Sequence, residues 1–126
     1  MNLDALLPNA PVPPPNLIYS YADGSGNIYY ITKEFIQYKP VIPIQSSSGV
    51  YCGGKAAQKL LNIEQFTQIK VLIQQVRKNH SDFTSNRVKG SGHLKLHLEN
   101  EVYLLGYQTH SQQKLETAFK AIFATA

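Results

Sequence analysis

The sharpest chemical pattern in the chain is Gly49-Val50-Tyr51-Cys52-Gly53-Gly54-Lys55-Ala56. It follows G-x-x-x-x-G-K, the loop whose backbone amides cradle phosphates, up to its last position. There Ala56 stands where a Ser or Thr hydroxyl would hold magnesium. Such a loop also follows a buried strand, whereas Pro40, Pro43 and Ser46-Ser47-Ser48 precede this one. No apolar strand ending in Asp comes after it. The pattern argues against nucleotide hydrolysis and for an ordinary loop with a tight Gly-Gly turn. A weaker chemistry stays open, in which the amides of Gly53, Gly54 and Lys55 hold a simple anion at a helix start.

Cys52 is the only thiol. A nucleophilic cysteine needs a base and a cationic or helix-terminal setting that lowers its pKa. His93 or His97 could supply the base if the fold brings one of them near. Without such a partner, a single cysteine is an inert packing residue. His93 and His97 also raise a metal reading. On a strand they lie about 13 Å apart, at ~3.3 Å per residue, too far to share one ion. Lys95 stands between them and repels a cation, so no metal site and no cofactor are expected.

His93-Leu94-Lys95-Leu96-His97-Leu98 alternates strictly, which places Leu94, Leu96 and Leu98 on one face of a strand. Arg87, Lys89, His93, Lys95 and His97 then share the opposite face, unless Gly90 or Gly92 marks a bulge. A solvated polar face is what every half-exposed strand needs. The functional alternative is an anion-binding surface for nucleic acid or an acidic protein. Sheet-based RNA readers add exposed aromatics to such charge. Tyr19, Tyr21, Tyr29, Tyr30 and Tyr103 fall on predicted strands, although no RNP-like motif is present. Leu3-Asp4-Ala5-Leu6-Leu7 and Pro11-x-x-Pro14 fit short recognition shapes that also arise by chance in such tails. The eight acidic residues fall mostly in turns, caps and helix faces, and no carboxylate pair stands out.

The elements that must carry these residues read as follows. Residues 1–15 form a proline-rich lead-in that cannot be helix or central strand. It is expected to contribute little to the core of a single domain over 16–126. Residues 17–22 and 27–32 are strands joined by Asp23-Gly24-Ser25-Gly26, a hairpin turn. Glu34 to Ile42 is a third strand, with a short strand possible at 50–52. Ala56 to Leu61 is read as a separate turn of helix. Asn62 and Gln65 make a capping box for a helix over 63–79, with Phe66, Ile69, Ile73 and Val76 on one face. A loop spans 80–86. A second hairpin joins 93–98 to 102–107 through Glu99-Asn100-Glu101. Thr109 or Ser111 caps a last helix over 110–124. The order β-β-β-α-β-β-α predicts an α+β domain, a mostly antiparallel sheet of about five strands with two helices on one face.

The chain has 126 residues, 43% hydrophobic and 16% charged, which excludes a solvated disordered chain and suits one packed core. No run approaches the ~20 apolar residues of a membrane span. The start, Met1-Asn2-Leu3-Asp4, lacks the basic and apolar regions of a signal peptide, so a cytoplasmic protein is the default. The net charge of +4 favours weak attraction to anions but is too small for the phosphate contacts of a dedicated nucleic-acid binder. No constellation supplies nucleophile, base and electrophile together. The sequence therefore favours a non-catalytic binding or accessory domain acting on another protein or on itself as a homodimer. The alternatives are nucleic-acid or anion binding through Arg87–His97, and a small enzyme using Cys52 or the Gly49–Lys55 loop.

Overall fold

The first hairpin is set by its turn. In the computed structural model, which describes residues 14–41, 54–85 and 90–124, Asp23 Oδ1 accepts the amides of Ser25 at 2.9 Å and Asn27 at 3.0 Å. Gly26 takes φ +93°, which a side chain would resist. The strands on either side are β1 (Tyr19–Ala22) and β2 (Ile28–Ile31), paired Tyr19↔Ile31 through Ala22↔Ile28. Next comes β3 (Phe35–Lys39), which stops one residue before Pro40, earlier than the expected Ile42, because proline has no amide for the ladder.

Ala57–Leu60 forms a further strand, β4, not the turn of helix its composition suggested. Ala, Gln, Lys and Leu are good helix formers, but propensity is a small term that tertiary pairing overrides. Here β4 runs antiparallel to β3, Phe35↔Leu60 through Tyr38↔Ala57, and Gln37 donates to Gln58 Oε1 at 2.8 Å. This strand brings the sheet to six instead of five.

Helix α1 (Ile63–Lys78) starts at Asn62 with the full capping box. Asn62 Oδ1 accepts the Gln65 amide at 2.7 Å, and Gln65 Oε1 accepts the Asn62 amide at 3.0 Å. Ile69, Ile73 and Val76 bury the face that spacing predicted. A short 3-10 turn at His80–Asp82 and an isolated bridge from Phe83 to Leu105 replace part of the expected loop. The second hairpin is β5 (Gly92–Leu96) and β6 (Glu101–Leu105). Its turn takes residues 97–100, with Asn100 at φ +54°. Leu98 therefore leaves the strand and is 73% exposed, so the predicted three-leucine face reduces to Leu94 and Leu96.

The last element is α2 (His110–Ala124). Asp82 reaches its first turn from 29 residues back, accepting the Ser111 amide at 3.0 Å and the Ser111 hydroxyl at 2.6 Å. A carboxylate there satisfies orphan amides and suits the positive end of the helix dipole.

All neighbouring strands are antiparallel, in the order β4-β3-β2-β1-β5-β6, and α1 carries the chain from the edge strand β4 to β5. Register defines two faces. Ala57, Tyr38, Tyr29, Tyr21, Leu94 and Tyr103 form one row across the six strands. Both helices cover this side: Phe66 stacks on Tyr19, and Phe119 packs on Tyr21 and Tyr29. The fold is thus a two-layer α+β domain. Among the described residues no helix is long and apolar enough to cross a membrane.

Candidate functional site

Of the candidate site residues singled out by sequence, the structure describes Gly54, Lys55, His93, Lys95 and His97. Cys52, Gly53, Arg87 and Lys89 lie outside the described residues, as do Leu3–Leu7 and Val50–Cys52. Gly54 and Lys55 are exposed and lead into β4, not into a helix, so no helix terminus stands behind them to hold an anion. His93 and Lys95 do share the side of the sheet away from the helices, as alternation predicted. His97 sits in the turn beyond the strand. Ser91 is buried and precedes the strand, so the row of odd-numbered positions does not run unbroken through Gly90 and Gly92.

Across this outer face the register places Gln58, Gln37, Tyr30, Ser20, Lys95 and Val102 in one row. Tyr30 is the only one of the five strand tyrosines here, and it is 6% exposed. Tyr19, Tyr21, Tyr29 and Tyr103 face the helices. Among the described residues the face therefore offers no exposed aromatic platform on which bases could stack. His97 Nε2 lies 2.9 Å from Ser20 Oγ, the spacing of a nucleophile and its base. Burial and the neighbouring Lys95 push the His97 imidazole below its usual pKa. Among the described residues no acceptor orients the other ring nitrogen, so the pair lacks the third group that such chemistry uses.

A different region gathers polar side chains. A cleft of about 910 Å³ opens between the β1–β2 turn and α2. Its size is that of a small-molecule pocket. Asp23, Asn27, Tyr29 and Tyr38 line it from the sheet, and Gln112, Glu116 and Lys120 from the helix. The rings of Tyr29 and Tyr38 pack with centroids 5.0 Å apart. Tyr107 stands at the rim, 63% exposed, against Gly90. Gln112, nearly buried, donates to the Gly90 carbonyl and accepts the Gln108 amide, both at 2.6 Å. That second bond holds Gln108 at φ +60°.

Beneath these groups lies a hydrogen-bonded pair. Tyr21 is fully buried, and its hydroxyl donates to Glu116 Oε2 at 2.7 Å. Burial raises the Glu116 carboxyl above its ordinary range, and the charge of Asp23 adds to this, while the Tyr21 hydroxyl and Lys120 oppose it. Burial likewise raises the Tyr21 phenol, reinforced by the negative charge of Glu116. The Tyr21 phenol therefore keeps its proton and donates it, and this bond favours the ionised Glu116 carboxylate that burial disfavours. Among the described residues no cation comes within 4.0 Å of that charge.

Sequence reasoning placed Glu116 on a helix face and missed this pair, which is 95 residues apart in the chain. One signal was present. Gln112, Glu116, Phe119 and Phe123 follow the i, i+4, i+7, i+11 spacing of a single stripe, so two polar residues interrupt an apolar face. No family model matches the chain, and no curated protein or solved structure matches it either.

Proposed function

We propose that this protein is a small non-catalytic binding domain whose ligand enters the cleft between the β1–β2 turn and α2. The observation that supports this most strongly is Glu116. A half-buried carboxylate with one hydrogen bond and, among the described residues, no ion pair carries a solvation cost that Tyr21 and Lys120 only partly offset. A ligand that donates to it would recover that cost. The hydroxyl and carboxylate of the pair are bonded to each other, which suits a fixed recognition group better than an attacking one. The test is a titration of the 15N-labelled protein with small amine, guanidinium, amide and carboxylate fragments. Amide shifts should cluster at 23–27 and 112–120. Shifts confined to Ser20, His93 and Lys95, or none with any fragment, would overturn the reading.

A second reading, contact with another protein or self-association, has its own support. Leu60 and Ile63 are 74% and 86% exposed and sit together beside Lys33 and Glu34 in an open groove. Large neighbouring apolar groups left in water mark interaction surfaces. Light scattering of the wild type and Ile63→Lys separates the cases. A dimer that dissociates in the variant supports this reading, and a monomer throughout refutes self-association.

A further inference from the structure

We infer that the cleft takes a cationic nitrogen group, an amine or a guanidinium, seated between Glu116 and the tyrosine rings. The inference rests on the reading of the cleft as a binding site and specifies its ligand.

The hydrogen-bond inventory of the lining points to a donor. An ionised carboxylate accepts at roughly four lone-pair positions. Glu116 uses Oε2 for Tyr21, and Oε1 meets no donor among the described residues. Asp23 is different, because its oxygens already serve the Ser25 and Asn27 amides and the Asn27 side chain. Asp23 thus supplies negative charge to the cleft, and Glu116 supplies both charge and a vacant acceptor. Gln112 is satisfied internally at both ends and offers nothing more.

Charge then decides between neutral and cationic donors. Among the described residues, two carboxylates, Asp23 and Glu116, and one ammonium, Lys120, line the cleft. Lys120 is exposed, four residues beyond Glu116 on the same helix, and stays more than 4.0 Å from any carboxylate of the described residues. A ligand cation would meet a less hydrated environment than Lys120 does, and a hydrogen bond to a charged partner is roughly twice as strong as a neutral one. The tyrosine rings add to this preference, because a cation within about 6 Å of a ring centroid is attracted to its face. An anion would have to sit beside both carboxylates.

The group could belong to a small amine or guanidino compound, or to a lysine or arginine side chain of a protein. The probes are methylguanidinium, an acetylated arginine-containing peptide amide, acetamide and acetate, each titrated at pH 7 against the full chain with amide shifts as readout. Methylguanidinium should saturate the signals of 112–116. Glu116→Gln, close to isosteric, should weaken it at least about tenfold, the equivalent of 1.4 kcal/mol. Lys120→Gln should strengthen it, since a competing positive charge is gone. A peptide that binds far more tightly than methylguanidinium assigns the group to a protein partner, and equal affinities assign it to a small molecule. Acetamide binding without methylguanidinium binding would overturn the cation while leaving the cleft a site. Acetate binding lost in Lys120→Gln would do the same. Silence from all four probes would overturn both.

Discussion

Replacing Tyr21 with Phe removes a single oxygen from beneath the cleft and leaves the ring packing of Tyr21 on Tyr29 and Phe119 in place. The vacated space is small, because Gly92 lies directly against that hydroxyl. The loss is therefore mainly the 2.7 Å bond to Glu116. Hydrogen bonds to charged groups contribute roughly 1.5–3 kcal/mol. Water reaches half-buried Glu116 and partly replaces the donor, so the low end applies, about 1.5 kcal/mol at pH 7. For a chain of this length that lowers the thermal midpoint by roughly 6 °C. The size of the effect depends on the charge of Glu116. Below its raised pKa the carboxyl is neutral, and the bond falls to the ordinary level of about 1 kcal/mol or less. Urea unfolding of Tyr21→Phe and wild type, followed by circular dichroism at pH 7 and pH 4, measures both differences. A cost under about 0.5 kcal/mol at pH 7, or an equal cost at the two pH values, would refute the charged pair.

The Glu116 carboxyl is raised in the folded state, so the folded chain binds more protons than the unfolded one in that range. Its stabilising contribution is complete below the unfolded value of 4.5 and is lost as pH rises through the folded value. Glu116→Gln should therefore gain stability over wild type between pH 4 and pH 7, and a parallel pH dependence of the two proteins would contradict this. Phe119 has no exposed surface, and Phe119→Ala should cost about 3–5 kcal/mol in urea unfolding, a large share of a domain's total stability. A cost below about 1 kcal/mol would mean that α2 does not pack as described. Asp82 is lowered by the Ser111 hydroxyl and amide, so its contribution is present above 3.8 and is lost as pH falls through its folded value. Asp82→Ala should cost about 1 kcal/mol at pH 7 and much less in acid, and an unchanged midpoint at pH 7 would remove Asp82 as a partner of Thr109 in capping α2.

Local signals carried over from sequence to structure, and distant ones did not. The capping box at Asn62 and Gln65 and the stripe Ile69, Ile73, Val76 lie within one helix, so α1 was legible almost to the residue. The turn at Asp23–Gly26 was legible for the same reason. β4 was not, because Ala57–Leu60 becomes a strand only through its ladder with β3. Strict alternation also overran its strand. It assigned Leu98 to the core, whereas Asn100 reverses the chain after Leu96. The face of His93 and Lys95 followed from period-two spacing. The cleft joins a β1 tyrosine, a hairpin aspartate and an α2 glutamate, and only the packing of α2 on the sheet brings them together.

Glu116 is half-buried and accepts from Tyr21 alone among the described residues, and its own titration tests its charge and its room for a second donor most directly. Side-chain carboxyl 13C shifts can be followed from pH 3 to pH 8, alone and with saturating methylguanidinium. Glu116 should titrate above the ordinary glutamate range in the free protein and move down when the cation binds, because the bound charge favours the ionised form. A titration within the ordinary range, unmoved by the cation, would contradict the account.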